Sequence, residues 1–352
     1  DGGIRWSTGD LVNQHYLNKG ELPPPDSGCG GDGVTYDVNG DGWFNVQDYT
    51  TNTGAETPTD VCDTRLLAHA GGWDQPALDS PNGYLDPGDL IAVFSDGVDD
   101  DGNGWVDDIS GWDVYLDNNN PDTETNFYHG KNTASQAAAQ GDNGGGSIGT
   151  CPHCSLLQIR VGESFVVDAN DFAIGVIYAV DAGASVIVAP VGSINNTQLA
   201  RDAIDYAWHN DVAVIGSAAD ENSYHHNFPA TANHTIYQHA IQFDSNSFET
   251  ASTYMNFANC TNYGAQLVLS TPGTLCSSES TGRLGGIIGL LYSMALKADV
   301  PFPKGAPGPT DIHGARRLRA DEVRQLLIMT VDDIHDPATA TDPTRYPTRE
   351  GW

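Results

Sequence analysis

The run Ser185-Val-Ile-Val-Ala-Pro-Val191, the segment Thr197–Asn210 and the run Val212-Ala-Val-Ile-Gly-Ser-Ala218 follow one another in the middle of the chain. The two short runs are almost wholly apolar, and the segment between them has the length of a helix. Strands that are apolar on both faces and alternate with helices form a parallel sheet covered on both sides. Working outward, Ser155–Val161 predicts another strand, and Asp168–Ala184 a helix with Phe172, Val176, Ile177 and Val180 on one face. Gly285–Lys297 and Asp321–Asp332 predict two more helices. The expected fold class is α/β, with a mainly parallel central sheet and helices on both faces. No repeat of solenoid period is present.

The chain has 352 residues, a length that suits about two domains or one large α/β unit. Asp and Glu number 47 against 15 Lys and Arg, a formal net charge of −32. That balance excludes a nucleic-acid binder, because phosphate contacts need a basic surface, and it excludes a polybasic membrane anchor. Apolar stretches such as Leu284–Leu291 are too short to span a bilayer. A hydrophobic content of 39% argues against disorder. Residues 20–122 are rich in Gly, Pro, Asn and Asp, which reads as loops tied down by ions or as a salt-adapted surface. The cysteines at 29, 62, 151, 154, 260 and 276 allow 15 pairings and fit an oxidising compartment. Cys151-Pro-His-Cys154 is half of a redox or zinc motif, and no second CxxC accompanies it.

Asp37-Val-Asn39-Gly-Asp41-Gly42-Trp43-Phe-Asn45-Val-Gln-Asp48 places oxygen side chains at loop positions 1, 3, 5, 9 and 12. Gly42 takes the sharp-turn position, and Trp43 offers its backbone carbonyl. This spacing predicts calcium, the bland alternative being an Asx-rich turn, and over these twelve residues it resembles the loop of dockerin modules. Asp99, Asp101, Asn103, Gly104, Trp105 and Asp107 repeat the first nine positions. Position 12 is Ser110, so another ligand must close this second site. Asn82–Asp89 keeps only fragments of the pattern and reads as a degenerate turn.

His129-Gly130-Lys131-Asn132-Thr133-Ala134-Ser135 opens a small-residue helix over Thr133–Gln140, followed by a Gly-rich turn and the strand 155–161. Here the sequence resembles the subtilisin-like serine peptidases, whose H-G-T-H-V-A-G it matches at His, Gly and Ala. Phe94–Trp112 resembles a calcium-binding stretch that precedes the histidine in many members. The resemblance implies a three-layer subtilisin-like fold over residues 1–352 and a secreted, extracellular serine endopeptidase with a polypeptide substrate and Ca2+. It also implies a propeptide as partner. Asp1-Gly-Gly3-Ile4 follows the family's D-T-G-I, so Asp1 is the expected triad aspartate. The strand that carries it, and any propeptide, would then be missing from the chain. Asp96 mimics the same motif inside the second calcium loop.

The family's G-T-S-M-A-T-P aligns with Cys276–Gly282 and puts the nucleophile on Ser278, with Ser277 and Ser280 as alternative registers or as a polar helix cap. The oxyanion asparagine of the family is replaced by Asp220 in Ser217-Ala218-Ala219-Asp220-Glu221. A carboxylate repels an oxyanion, whereas a protonated carboxyl donates to it; Asn222 is the other donor in reach. Val191 and Gly192 fall on the family's substrate-binding strand, where an extended peptide would pair. Residues 25–90 are not typical of compact members and read as a calcium-binding loop insertion. Cys29–Cys62 is then an internal bridge, and Cys151–Cys154 and Cys260–Cys276 are local pairs. His225 and His226 read as solvated loop residues, and Asn195, Asn233 and Asn259 lie in N-x-T sequons that need no glycan to explain them. The competing reading is a subtilisin-like scaffold without turnover. It rests on Asp220, on Lys131-Asn132 and on the altered serine region, and would act as a calcium-dependent binding or surface protein.

Overall fold

A computed structural model describes residues 1–51, 61–72, 83, 85–122, 128–224, 226–242, 256–257, 260–264, 266–273, 276–297 and 318–331. Asn82, Tyr84, His225 and Asn259 of the readings above lie outside the described residues. The chain divides into two compact units, Asp1–Ser164 and Phe165–Trp352.

The first unit is loop-rich. Its helices are α1 (Thr64–Ala68), α2 (Pro87–Phe94) and α3 (His129–Ala138), and strands β1 (Trp112–Asp113) and β2 (Ile159–Arg160) pair in parallel. Trp6, Leu17, Leu22, Val46, Tyr49, Leu66, Leu85, Leu90 and Ile109 share one core. Phe44, Val46, Tyr49, Leu66, Leu85 and Leu90 are therefore buried in one cluster with Trp6, Leu17, Leu22 and Ile109. The predicted strand 155–161 is regular only at Ile159–Arg160, while Leu156 makes an isolated bridge to His15.

The second unit carries the sheet: β3 (Val166–Val167) pairs with β5 (Gly192–Ser193), and β4 (Val186–Ala189), β6 (Ala213–Ser217), β7 (Thr235–Gln242) and β9 (Leu269–Pro272) run parallel, with β8 (Asn256–Phe257) antiparallel to β7. Helices α4 (Ala169–Asp181), α5 (Gln198–His209), α6 (Ser277–Lys297) and α7 (Ala320–Thr330) complete it. Ala213 and Ile215 of β6 share a core with Leu284 and Ile288 of α6 and with Val323 and Leu327 of α7. By the period-two alternation of a strand, Val214 turns to the other face, where α5 contacts β6. The fold is α/β with a mainly parallel sheet and helices on both faces. Asp168 and Thr197 cap α4 and α5 with side-chain bonds to Asn170 N–H and Ala200 N–H. The buried face of α4 is Phe172, Ala173, Val176 and Ala179, with Ile177 and Val180 only half-buried. Two helices start earlier than expected: α3 at His129 rather than Thr133, and α6 at Ser277 rather than Gly285. No described helix is long and apolar enough to cross a membrane.

Among the described residues, two histidines are deeply buried. His15 packs edge-on against Trp6, with ring centroids 4.7 Å apart, and neither ring nitrogen has a hydrogen-bond partner. Burial lowers its pKa from 6.5 to about 3. His239 is lowered to about 4, again chiefly by burial. A histidine whose folded pKa lies below its unfolded value binds its proton first in the unfolded chain. Its contribution is complete above the unfolded value of 6.5 and is lost as pH falls toward 4. His15→Leu is expected to flatten the fall in melting temperature between pH 6.5 and 4 while leaving or raising the midpoint at pH 8. A variant whose midpoint falls as steeply as the wild type would contradict the assignment.

Candidate active site

His129 opens α3, and its Nδ1 lies 2.7 Å from Asp1 Oδ2. Both side chains are mostly enclosed, at 19% and 12% exposure. A Cβ at Gly130 would sit 2.3 Å from Gly3 carbonyl oxygen and 3.5 Å from Asp1 Cγ, so only glycine lets the helix start this close to the Asp1 segment. Leu11, Ala134 and Ala139 pack behind the helix, with Ile4 and Leu156 against them. Donation of Nδ1–H to Asp1 leaves the imidazole lone pair on Nε2, the tautomer a general base needs. Asp96, the other candidate aspartate, is exposed and accepts from Val98 N–H.

In the second unit the three serines of the 276–280 turn have different environments. Ser277 is fully buried: its hydroxyl bonds Asp220 Oδ1 at 2.6 Å and lies 2.6 Å from Ser217 Oγ. Ser280 is also fully buried and donates to Ser277 carbonyl oxygen. Ser278 is half-buried, on the first turn of α6. Asp220 itself is exposed, and its Oδ1 also accepts Ser277 N–H at 2.8 Å. The carboxyl thus caps α6 from 57 residues away, which is why the helix begins at Ser277. Asn222 N–H donates to Cys260 carbonyl oxygen. Gly192 N–H donates to Phe165 oxygen at 2.7 Å, and Val191 oxygen accepts from Asn227 Nδ2 at 3.4 Å.

The two acidic loops are shaped by their own backbone. In the first, Asp37 accepts from Gly40 and Gly42 N–H, Asn39 from Asp41, Asp41 from Trp43, and Asn45 from Gln47. Asp48 is 1% exposed and accepts from Val38, Asn39 and Asn45 N–H, and burial pushes its pKa up to about 6. In the second, Asp99 accepts from Gly102, Asn103 and Gly104 N–H, and Asn103 from Trp105. Asp107 turns away to Asp96 and Gly97 N–H, and Ser110 donates to Tyr16 oxygen. The group that joins the second loop is Glu21. One carboxylate oxygen from each of Glu21, Asp99 and Asp101 lies within 4.8 Å of the others. Glu21 is 5% exposed; its Oε1 accepts Asp100 and Asp101 N–H, and its Oε2 has no partner. Burial, then the charges of Asp101 and Asp108, raise its pKa. A Cβ at Gly20 would meet Asp101 Oδ2 at 2.5 Å, so glycine there lets the loop close on this segment. Converging carboxylates with a buried, unpartnered oxygen fit a hard divalent cation, which prefers oxygen ligands.

The sequence profile of the subtilase family matches residues 86–341, well over half of the chain. The chain belongs to the subtilase family. A thermophilic serine proteinase from Bacillus sp. strain AK1 is 28% identical over 256 residues, covering 72% of this chain and 58% of the relative. The chain thus spans under two thirds of that relative's length. Thermitase from Thermoactinomyces vulgaris is 28% identical over 211 residues, covering 54% of this chain and 69% of thermitase. A solved protease structure from Pseudoalteromonas arctica PAMC 21717 aligns with a TM-score of 0.49 and 16% identity, covering 64% of this chain and 77% of that one.

In this subtilase the six cysteines face one another as Cys29–Cys62, Cys151–Cys154 and Cys260–Cys276, with Cα–Cα distances of 4.9, 5.4 and 5.4 Å. Sulfurs so paired are not metal ligands, although Cys29, Cys260 and Cys276 each lie among acidic groups. Reading the sequence alone misses Glu21, because it stands about 80 residues before the loop it joins. The open position 12 at Ser110 is the signal that a remote ligand exists. Glu21→Gln is expected to weaken calcium binding to the protein by about tenfold or more and to shrink the calcium-induced rise in melting temperature. Ser110→Ala should leave that affinity unchanged; equal calcium affinity in Glu21→Gln and wild type would exclude Glu21 as a ligand.

Proposed function

We propose that this subtilase chain is a secreted serine endopeptidase that hydrolyses polypeptides through an acyl-enzyme. The observation that carries the reading is the 2.7 Å contact between His129 Nδ1 and Asp1 Oδ2 at the start of a helix, in a chain of this family. Asp1 orients the imidazole and stabilises its charged form. His129 Nε2 accepts the Ser278 hydroxyl proton as the serine oxygen attacks the peptide carbonyl. The imidazolium returns that proton to the leaving amine, and water then resolves the acyl-enzyme by the same exchange in reverse. Ser278 is preferred over Ser277 and Ser280 because those two are fully buried, whereas Ser278 is half-buried on the first turn of α6.

The tetrahedral oxygen faces the backbone N–H of Ser278 at the positive end of α6. Asp220 takes the family's oxyanion position, its Oδ1 held by two hydrogen bonds from Ser277, with Asn222 as the other donor. Calcium fits Glu21, Asp99 and Asp101, with Asn103 and the Trp105 carbonyl on the same loop, and fits the 37–48 loop. When bound it supplies charge compensation that ties the loop segments together. Asp107 contributes by fixing the loop at Asp96 and Gly97. Paired cysteines and calcium loops support an oxidising, extracellular setting, and a propeptide is proposed as the folding partner. The scaffold reading keeps one supporting observation, the replacement of the amide donor at 220 by an acid.

Asp220→Asn is expected to raise turnover of peptide hydrolysis by the calcium-loaded protein by about 10²-fold, the usual worth of one oxyanion donor. An Asp220→Asn variant with turnover below the wild type would contradict the oxyanion reading of this position. An absence of hydrolysis at every pH in a folded protein would favour the scaffold.

A further inference from the structure

Asp220 sits in a strained loop. Ala219 has φ of 68° and Asn222 of 49°, two left-handed non-glycine residues in a four-residue stretch. Such backbone persists only where neighbours over-determine it. The neighbour here is Asn262, which is fully buried. Its Oδ1 accepts Glu221 N–H and Ser223 N–H, both at 3.1 Å, and its Nδ2 donates to Glu221 Oε2. Its own N–H donates to Ala219 oxygen at 2.8 Å, and its carbonyl oxygen accepts from His239 Nδ1 at 3.2 Å. Both side-chain polar atoms and both backbone groups of Asn262 are therefore engaged, three of the four on the loop that carries Asp220.

The same segment is fastened to the serine turn. Asn222 N–H bonds Cys260 oxygen, Cys260 pairs with Cys276, and Cys276 precedes Ser277, whose N–H and hydroxyl bond Asp220. The path from Asp220 to the first turn of α6 closes on itself through Asn262 and this cysteine pair.

We propose that Asn262 is the positioning residue for Asp220, with the Cys260–Cys276 bridge as its anchor. It touches no substrate. It holds the loop so that the Asp220 carboxyl stays on the N-terminal turn of α6 beside Ser278. The inference rests on the reading of Asp220 and Ser278 given above and names what sets their geometry. An amide is required at 262, because one side chain must accept from two N–H groups and donate to a carboxylate.

The test is a double-mutant cycle on the calcium-loaded protein, reading kcat and KM for peptide hydrolysis. Asn262→Ala is expected to lower kcat by about 10²-fold, the usual effect of a small misplacement of a catalytic group, with KM nearly unchanged. In an Asp220→Ala background the same substitution should cost little more, because its effect passes through Asp220. Losses that multiply in the double variant would overturn the proposal. If Asn262→Ala does not fold, the Cys260→Ser/Cys276→Ser variant takes its place in the cycle, with the same non-additivity expected. An Asp220→Ala protein with wild-type kcat would instead overturn the oxyanion reading on which the proposal stands.

Discussion

Carboxylates in this chain must find partners other than side-chain bases. With 47 acids against 15 bases, buried or crowded acids cannot all be paired as salt bridges, and an uncompensated buried charge is costly. Backbone N–H groups take that role. Asp37, Asp48, Asp99 and Asp107 each accept two or more of them, and their loops wrap around the acids accordingly. Arg160 with Asp113 is a buried ion pair, at 2.8 Å. Where the N–H donors run out, at Glu21 Oε2, a cation is the proposed compensation.

The same device sets the second unit's serine turn. A helix N-terminus exposes unpaired N–H groups, and α6 receives a carboxyl from a distant loop rather than a local cap. The side chain that caps this helix is also the one proposed to face the tetrahedral oxygen, so one residue carries a structural role and a proposed catalytic one. In the first unit, a histidine stands on a helix that glycine and alanine allow to lie close against the aspartate segment.

Legibility in the sequence followed the chemistry. The strands β4 and β6 read directly because they are continuous apolar runs, and α4 and α5 because their caps and periodicity agree. β7 escaped, since Thr235-Ile-Tyr-Gln-His-Ala-Ile-Gln242 mixes polar and apolar residues. Its buried Gln238 donates through Nε2 to Ser277 oxygen and its His239 bonds Asn262 oxygen, contacts no local pattern reveals. The start of α6 escaped for a related reason: Cys276–Ser280 is a polar run that becomes helical because Asp220 caps it. The 37–48 loop was readable because its acids are local; Glu21 and Asn262 were not, because the loops that they fasten lie 39 or more residues away in sequence.

The claim on which the account turns is that Ser278 is a nucleophile activated by His129. The direct measurement is to treat the calcium-loaded protein with a fluorophosphonate and locate the adduct by peptide mass spectrometry, in wild type and in His129→Ala. The account predicts a phosphonylated Ser278 that is lost in the variant. An adduct on Ser277 or Ser280, or no adduct on a folded protein, would contradict it.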